Sequence, residues 1–414
     1  MTNASPQPSG DPAKAPWRTP LIVLTAGCLI ALVGFGVRSS FGLFLEPMTL
    51  AQGWSRETFA LALAIQNLFW GLGLPFAGAL ADRYGAPRVL IVGAVLYTLG
   101  VFGMAASDSA FMLQMTAGVL TGMGVAFTAF SIALAAMAKV VGPERRSLAL
   151  GLGTAAGSAG QVVFSPLGQA LIATIGWHDA LLILGGAALL IIPLAFILPG
   201  ATKQDASDPL AHMTMGAALR EAAGHRGYIL LTTGFFVCGF HVAFITVHFP
   251  AYVADLGLDP AVGAYALALI GLFNIVGSFG SGAFGQRWSK RCGLSGIYFA
   301  RAIAITALLL LPKTEAVILT FAAVMGLLWL STVPLTTGLV AQIFGVRYMA
   351  TLFGIVFLSH QIGSFLGVWL GGYLYDRVGS YDGVWWAGVV LGLLAALIHL
   401  PIDERPLQRQ KADA

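Results

Sequence analysis

Apolar residues in this chain gather into long runs, separated by short clusters of charged residues or of Gly, Pro and Asp. The runs cover 20–45, 58–80, 88–106, 111–139, 147–174, 179–198, 228–254, 262–285, 294–312, 316–343, 350–375 and 383–401. A helix of about 20 apolar residues crosses the hydrocarbon of a bilayer. Backbone groups in lipid must bond within their own segment, so each run is expected to be a spanning helix. The pattern predicts twelve spans and an all-α integral membrane protein.

Composition agrees. The 414 residues are 57% hydrophobic and 10% charged, whereas a soluble domain carries roughly a quarter charged residues. A soluble fold would have to expose the apolar excess; a bilayer absorbs it. The 52 glycines fit as well, because small residues let membrane helices approach closely. Cys28, Cys238 and Cys292 show neither metal-ligand spacing nor a disulfide framework. Residues 1–17, rich in Pro, Ser and Ala, read as a disordered tail, and a spanning run rather than a cleavable signal peptide follows.

Charge sets the expected orientation. With the N-terminus inside, 17 of the 22 Lys and Arg lie on the cytoplasmic side and 3 (Arg56, Lys313 and Arg377) on the other, while Arg38 and Arg301 fall within spans. This bias places both termini in the cytoplasm. It also assigns the net charge of +4 to membrane orientation rather than to a nucleic-acid partner. The longest connection, 199–227, splits the chain into two sets of six spans and reads as a cytoplasmic linker with a short amphipathic helix near 209–222. The expected organisation is a tail (1–17), a six-helix bundle (18–198), the linker (199–227), a second bundle (228–401) and a cytoplasmic tail (402–414).

The two halves repeat one another. At an offset of 203, Gly151, Gly160, Gly168, Gly176 and Asp179 meet Gly354, Gly363, Gly371, Gly379 and Asp382. At an offset of 204, Ala62-Leu63-Ala64 meets Ala266-Leu267-Ala268, and Gly73, Gly78 and Arg83 meet Gly277, Gly282 and Arg287. Nearly equal offsets joining equivalent helices and loops indicate a duplication, a plan in which a site lies near the midplane between parallel repeats.

Between spans two and three, Gly78-Ala-Leu-Ala-Asp82-Arg83-Tyr-Gly85-Ala-Pro-Arg88 resembles the signature loop of the major facilitator superfamily. A degenerate copy, Gly282-Ala-Phe-Gly-Gln286-Arg287, sits between spans eight and nine. Gly53-Trp54-Ser55-Arg56 before span two, and the cation in span one, resemble the monocarboxylate and oxalate/formate transporter branch. The resemblance implies two pseudo-symmetric six-helix bundles in the cytoplasmic membrane, a functional monomer, alternating access, and a conformational latch made by Asp82, Arg83 and Arg287. The plainer reading of those charges is a solubilising turn on the positive side.

Charges inside a bilayer are rare and mark candidate sites. Arg38, in Phe35-Gly-Val-Arg38-Ser39-Ser40-Phe41, is the only charge well inside a span, and no Asp or Glu lies deep in any span to neutralise it. A guanidinium presents a planar fork suited to a carboxylate, so a small organic anion is the expected partner. The alternative is that Arg38 snorkels to the outer interface; for Arg301, near the cytoplasmic start of span nine, snorkelling is the expected reading. Intramembrane polar residues form a second tier: Gln66, Asn67, Thr128, Ser131, Gln161, His241, His248, Asn274, Thr332, His360 and Gln361. They fall on the spans that surround the cavity in the family. The substrate-binding set drawn from these is Arg38, Asn67, Thr128, Gln161, His241, Asn274, His360 and Gln361. For each amide or hydroxyl an interhelical bond is an equally good explanation.

One departure matters. Related monocarboxylate carriers often have an acidic residue and an arginine on span eight, and this span eight has neither. Any proton coupling would then use His241, His360 or the substrate, because histidine changes charge near neutral pH. The oxalate/formate type offers a second cation on span eleven; His360 is the nearest substitute, which disfavours a dianion. The reading is therefore a carrier of a small monocarboxylate, with protons as an optional coupling ion and no cofactor or metal. The rival is an efflux carrier for hydrophobic compounds. No metal pair, nucleophile elbow or phosphate loop supports an enzyme.

Overall fold

The computed structural model describes residues 19–140, 146–200, 215–345 and 349–407. Eleven helical segments in it are long and apolar enough to cross a membrane, from Pro20–Gln52 to Asp382–His399. One of them, Gly151–Ala195, runs for 45 residues, about 68 Å if straight and more than twice the hydrocarbon thickness of roughly 30 Å. It is broken at Gly176, whose φ of 85° lies in the left-handed region that glycine alone adopts without penalty. This segment is spans five and six, and the twelve expected spans are all present.

The packing repeats. In the first half, span one lies on span five and span two on span four; in the second half, span seven lies on span eleven and span eight on span ten. The halves meet where span two packs on span eleven and span five on span eight, again an equivalent pair.

Spans four and ten are discontinuous at equivalent points. Span four has a helix Thr121–Phe127, loses helical form at residues 128–129 and resumes as Phe130–Val140. Span ten comprises Glu315–Leu328 and Thr332–Phe344. Thr128 and Ser331, in the two gaps, stand 203 positions apart, the repeat offset.

A break inside a membrane frees backbone groups that lipid cannot bond. In span ten both sides are met. Arg301 donates from Nε and Nη2 to the Leu328 carbonyl at 3.2 and 2.7 Å, and from Nη2 to the Trp329 carbonyl. The Leu330 amide donates to Asn274 Oδ1 at 3.0 Å. Arg301 is 0% exposed, which overturns the snorkelling reading: the negative end of a helix terminating inside the bundle holds the guanidinium there.

The linker helix is described over Met215–Gly224, with Ala218 and Ala222 buried; residues 209–214 lie outside the described residues, as do the tail 1–17 and 408–414. Residues 402–407 are not a free tail. The Glu404 carboxylate accepts from the Arg291 amide at 2.6 Å and from Ser289 Oγ at 2.9 Å, which caps the helix Lys290–Leu310. Gln342 Nε2 holds the Glu404 carbonyl at 2.9 Å, and the Leu407 amide donates to the Ile343 carbonyl at 3.0 Å. Removing a cap acceptor typically costs about 1 kcal/mol, so Glu404→Ala is expected to lower stability by that order. Denaturant unfolding in micelles measures it; an unchanged midpoint would mean that the clasp contributes nothing.

Candidate functional site

Arg38 is the penultimate residue of the helix Pro20–Ser39, whose C-terminal carbonyl end favours a cation. The chain then tightens into a 3-10 turn, Phe41–Phe44, before resuming as Leu45–Gln52. The Ser39 and Ser40 hydroxyls donate to the Gly36 and Val37 carbonyls at 2.8 and 2.7 Å, satisfying the end of the helix.

Two neighbours fix the guanidinium. Its Nη2 donates to Asn67 Oδ1 at 2.5 Å, and its centre lies 4.5 Å from the Trp70 ring centroid. Asn67 is itself oriented, because its Nδ2 donates to the Leu63 carbonyl at 2.9 Å. Arg38 Nε is buried without a partner, and no carboxylate among the described residues pairs with this side chain. Beside it lies a small cavity lined by Ala31, Gly34, Phe35, Arg38, Trp70, Val125, Thr128, Ala129 and Phe130. The break in span four forms one wall. The site thus pairs one fixed, incompletely bonded cation with an apolar chamber.

The other expected site residues separate into groups. Thr128 lines the cavity, with its hydroxyl donating to the Gly124 carbonyl at 2.8 Å. Gln361 reaches Asn67 across the halves, its Nε2 donating to the Asn67 carbonyl at 3.1 Å. His360 Nδ1 bonds Gln361 Oε1 at 3.0 Å, and its ring stacks on Phe357, which meets Trp70 edge-on. Gln161 and Asn274 stitch spans five and eight: Gln161 Nε2 donates to the Leu267 carbonyl at 2.9 Å and Asn274 Nδ2 to Ser158 Oγ at 2.9 Å. Gln66 Nε2 holds the Ala117 carbonyl of span four at 2.8 Å, and Ser131 is exposed.

His241 is not brought to this cavity. Its Nε2 lies 2.8 Å from the Gly388 carbonyl, which can only accept, so the ring is held against span twelve. Glycines 388 and 392 there leave room for it; a Cβ on either would touch the ring at 3.4 Å.

Sequence reasoning missed a second constellation, at the end of the bundle where spans one and two, seven and eight, and eleven and twelve connect. Arg56 opens the helix Arg56–Tyr84 and pairs bidentately with Asp255 of the other half at 2.6 and 2.7 Å. The same guanidinium donates to Tyr381 Oη at 2.8 Å and covers the Tyr375 ring at 3.8 Å. Asp376 accepts from the Arg56 and Glu57 amides at 3.1 and 2.7 Å, so one half caps a helix of the other. Trp369 Nε1 donates to Glu57 Oε1 at 3.1 Å. Behind them the Tyr381 hydroxyl lies 3.2 Å from His248 Nδ1, and His248 Nε2 donates to the Val368 carbonyl at 2.8 Å. Gly42 lies against the Thr246 and Val247 carbonyls, where a Cβ would collide. The signal in the sequence was Arg56, one of three cations on the minority side, together with acids at the matching ends of spans seven and eleven.

At the opposite end, Asp82, Arg83 and Arg287 are exposed. Arg83 lies over the adjacent Tyr84 ring at 5.2 Å, and no hydrogen bond or ion pair among the described residues joins the halves there. Among the described residues, the one ion pair between the halves lies at the Arg56 end.

Charge-assisted hydrogen bonds are worth about 1.5–3 kcal/mol each. Arg56→Gln removes the ion pair and is expected to loosen the locked end. Spin labels at Leu50 and Val378, both exposed, would then report a broader, longer distance distribution than in the wild type. An unchanged distribution would show that the lock does not hold the halves.

Comparison with known proteins places this geometry. The family model described as Major Facilitator Superfamily matches residues 26–368. Monocarboxylate transporter 11 of Homo sapiens is 30% identical over 403 residues, spanning 91% of this chain and 81% of that protein. Monocarboxylate transporter 13 of Rattus norvegicus is 28% identical over 378 residues, spanning 86% and 82%. A bacterial homologue of the human lysosomal transporter Spinster, solved in an inward-facing, unoccupied conformation, superposes with a TM-score of 0.74 at 17% identity, over 93% of this chain and 97% of that one. That likeness speaks to the fold. With twelve spans in two repeated bundles and a family match across most of its length, the chain is a membrane transporter of the Major Facilitator Superfamily.

Proposed function

We propose that this transporter carries a small organic monocarboxylate across the cytoplasmic membrane by alternating access, with Arg38 as the partner of the carboxylate. The observation that carries the reading is the buried Arg38 Nε, without a partner beside an apolar chamber. An unpaired guanidinium in a low-dielectric site is costly, so an incoming anion gains Coulomb energy while restoring neutrality. Phe35, Val125 and Phe130 suit an apolar body behind the carboxylate. A dianion lacks a second cation, because Arg301 is committed to the break in span ten. The similarity to proteins named as monocarboxylate transporters points the same way.

The excess of Lys and Arg on one side supports an orientation with both termini in the cytoplasm. In that orientation the Arg56 lock closes the outer end, and no ion pair among the described residues joins the halves at the cytoplasmic end. Asp82, Arg83 and Arg287 then engage only in the opposite, outward-open state. The protein acts as a monomer.

The test is uptake of labelled organic acids by proteoliposomes with matched protein content. Arg38→Lys keeps the charge and loses the planar fork, so it should retain part of the activity; Arg38→Gln should abolish it. An interfacial arginine would make both substitutions equally mild, and wild-type uptake by Arg38→Gln would sink the reading. For the latch, Asp82→Asn should slow turnover sharply while equilibrium binding of the acid stays within about twofold. Lost binding with unchanged turnover would reject that role.

A further inference from the structure

Behind the Arg56 ion pair lies a histidine that the transport reading does not use. His248 of span seven is 0% exposed. Its Nε2 donates to the Val368 carbonyl of span eleven at 2.8 Å, and its Nδ1 lies 3.2 Å from the Tyr381 hydroxyl at the head of span twelve. The same hydroxyl receives Arg56 Nη1 from the other half at 2.8 Å. The ring is held in place, with the Phe244 and Tyr381 rings at 5.5 and 5.2 Å. A Cβ on Gly371 would collide with it, so span eleven leaves the imidazole its room.

The two ends of this chain dictate every proton in it. A guanidinium only donates and a carbonyl only accepts. Nε2 therefore carries the hydrogen for Val368, which in a neutral ring leaves Nδ1 bare. The Tyr381 oxygen accepts from Arg56, and its O–H donates to Nδ1. The bonds run one way, from Arg56 through Tyr381 and His248 to Val368, and they tie span two to spans twelve, seven and eleven. Only neutral imidazole completes them. The acids at this end are engaged elsewhere or stand in water. Asp255, on the same span as His248, pairs with the Arg56 side chain, and Asp376 of span eleven takes the Arg56 and Glu57 amides. Glu57 accepts from Trp369, and Asp382 is exposed. The surrounding Tyr252, Tyr375 and Tyr381 are phenols, with no charge to offer near neutral pH.

We propose that His248 is a proton-binding site that releases the lock between the halves. A proton from water at this end adds to the Nδ1 lone pair and forms an N–H bond, while Nε2–H still faces Val368. Nδ1 then no longer accepts from Tyr381. Its new N–H points at a phenol oxygen already held by Arg56, so two cations face one oxygen and repel each other. Parting of span two from the other half relieves that repulsion and lets water reach the imidazolium. The sign follows: the lock is complete with neutral imidazole, holds at high pH and gives way as pH falls. Reclosure returns the proton from Nδ1 to water. The inference takes from the reading above only the orientation that turns this end outward, and it is independent of the substrate.

The test uses the purified full chain in micelles, without substrate. Cys28 and Cys292 are replaced by Ser, and spin labels are placed at Leu50 and Val378, one on each half at this end. Between about pH 8 and pH 5, where histidine changes charge, the distance distribution should move reversibly to longer distances, with at least about a threefold gain in the open population. His248→Gln supplies an amide donor and acceptor that do not titrate, so it should keep the alkaline distribution throughout. A distribution that ignores pH in the otherwise native chain overturns the proposal. So does an undiminished response in His248→Gln, which would pass the titration to Asp255 or Asp376. If His248→Gln does not fold, or is open at both ends of the range, Tyr381→Phe decides. Loss of the hydroxyl that donates to Nδ1 should move the midpoint of opening upward by about half a pH unit or more; a midpoint that stays in place overturns the proposal. A carrier that moves no monocarboxylate would remove the substrate reading and leave each of these outcomes as decisive.

Discussion

Hydrocarbon offers no hydrogen bonds, so the carbonyls and amides freed by a break in a spanning helix must be met by side chains, by a local tightening of the backbone or by water in a cavity. Spans four and ten break at positions related by the internal repeat, and the two halves answer differently. In span ten the guanidinium of Arg301 takes the Leu328 and Trp329 carbonyls while Asn274 takes the Leu330 amide. In span four no such brace is present among the described residues. The corresponding place on span three is Tyr97, whose hydroxyl donates to the Gly34 carbonyl at 3.2 Å, and the space beside the break is the cavity next to Arg38. The duplication thus supplied two equivalent interruptions, one filled and one open.

The same constraint explains how the halves can be held firmly yet part. Their contacts in the middle are amide and hydroxyl bonds, such as Gln361 to the Asn67 carbonyl and Asn274 to Ser158. These are neutral, individually modest bonds. The strong pairing is gathered at one end, where Arg56 meets Asp255 and Asp376 caps the helix that begins at Arg56. Arg56 and Asp255 are only 12% and 25% exposed, so the pair is partly shielded from the water that weakens surface ion pairs. Concentrating charge at the ends lets one end open without breaking buried ionic bonds along the whole length.

Much of this was legible in the sequence because membranes impose strong patterns. Span count and duplication follow from the apolar runs and glycine offsets, and Arg38 stood out as a charge flanked by apolar residues on both sides. Arg301 looked like an interfacial arginine because the sequence around it gives no sign that span ten breaks beside it. The polar residues were located on the right spans but not in direction. His241 and Asn274 face neighbouring helices, and a polar residue inside a bundle carries the same letter whether it faces a partner helix or a cavity. Asp255 and Asp376 looked like ordinary helix-end charges; only the closure of two halves 199 and 320 residues apart in sequence gives them partners.

The two intramembrane arginines also bear on specificity. Neither has a carboxylate partner among the described residues. Arg301 is neutralised in part by the carbonyl dipoles of a helix end, an arrangement that holds a cation without needing a full counter-charge. Arg38 has one amide oxygen and the face of an indole. Both are weaker partners than an anion, and both leave the Nε edge uncovered. An amide and an indole orient a guanidinium without neutralising it, whereas an internal carboxylate would compete directly with substrate for the same fork. The absence of an acidic residue on span eight thus fits the chemistry of the cavity. With no protein anion at Arg38 among the described residues, the carboxylate of the proposed substrate is the group best able to complete it.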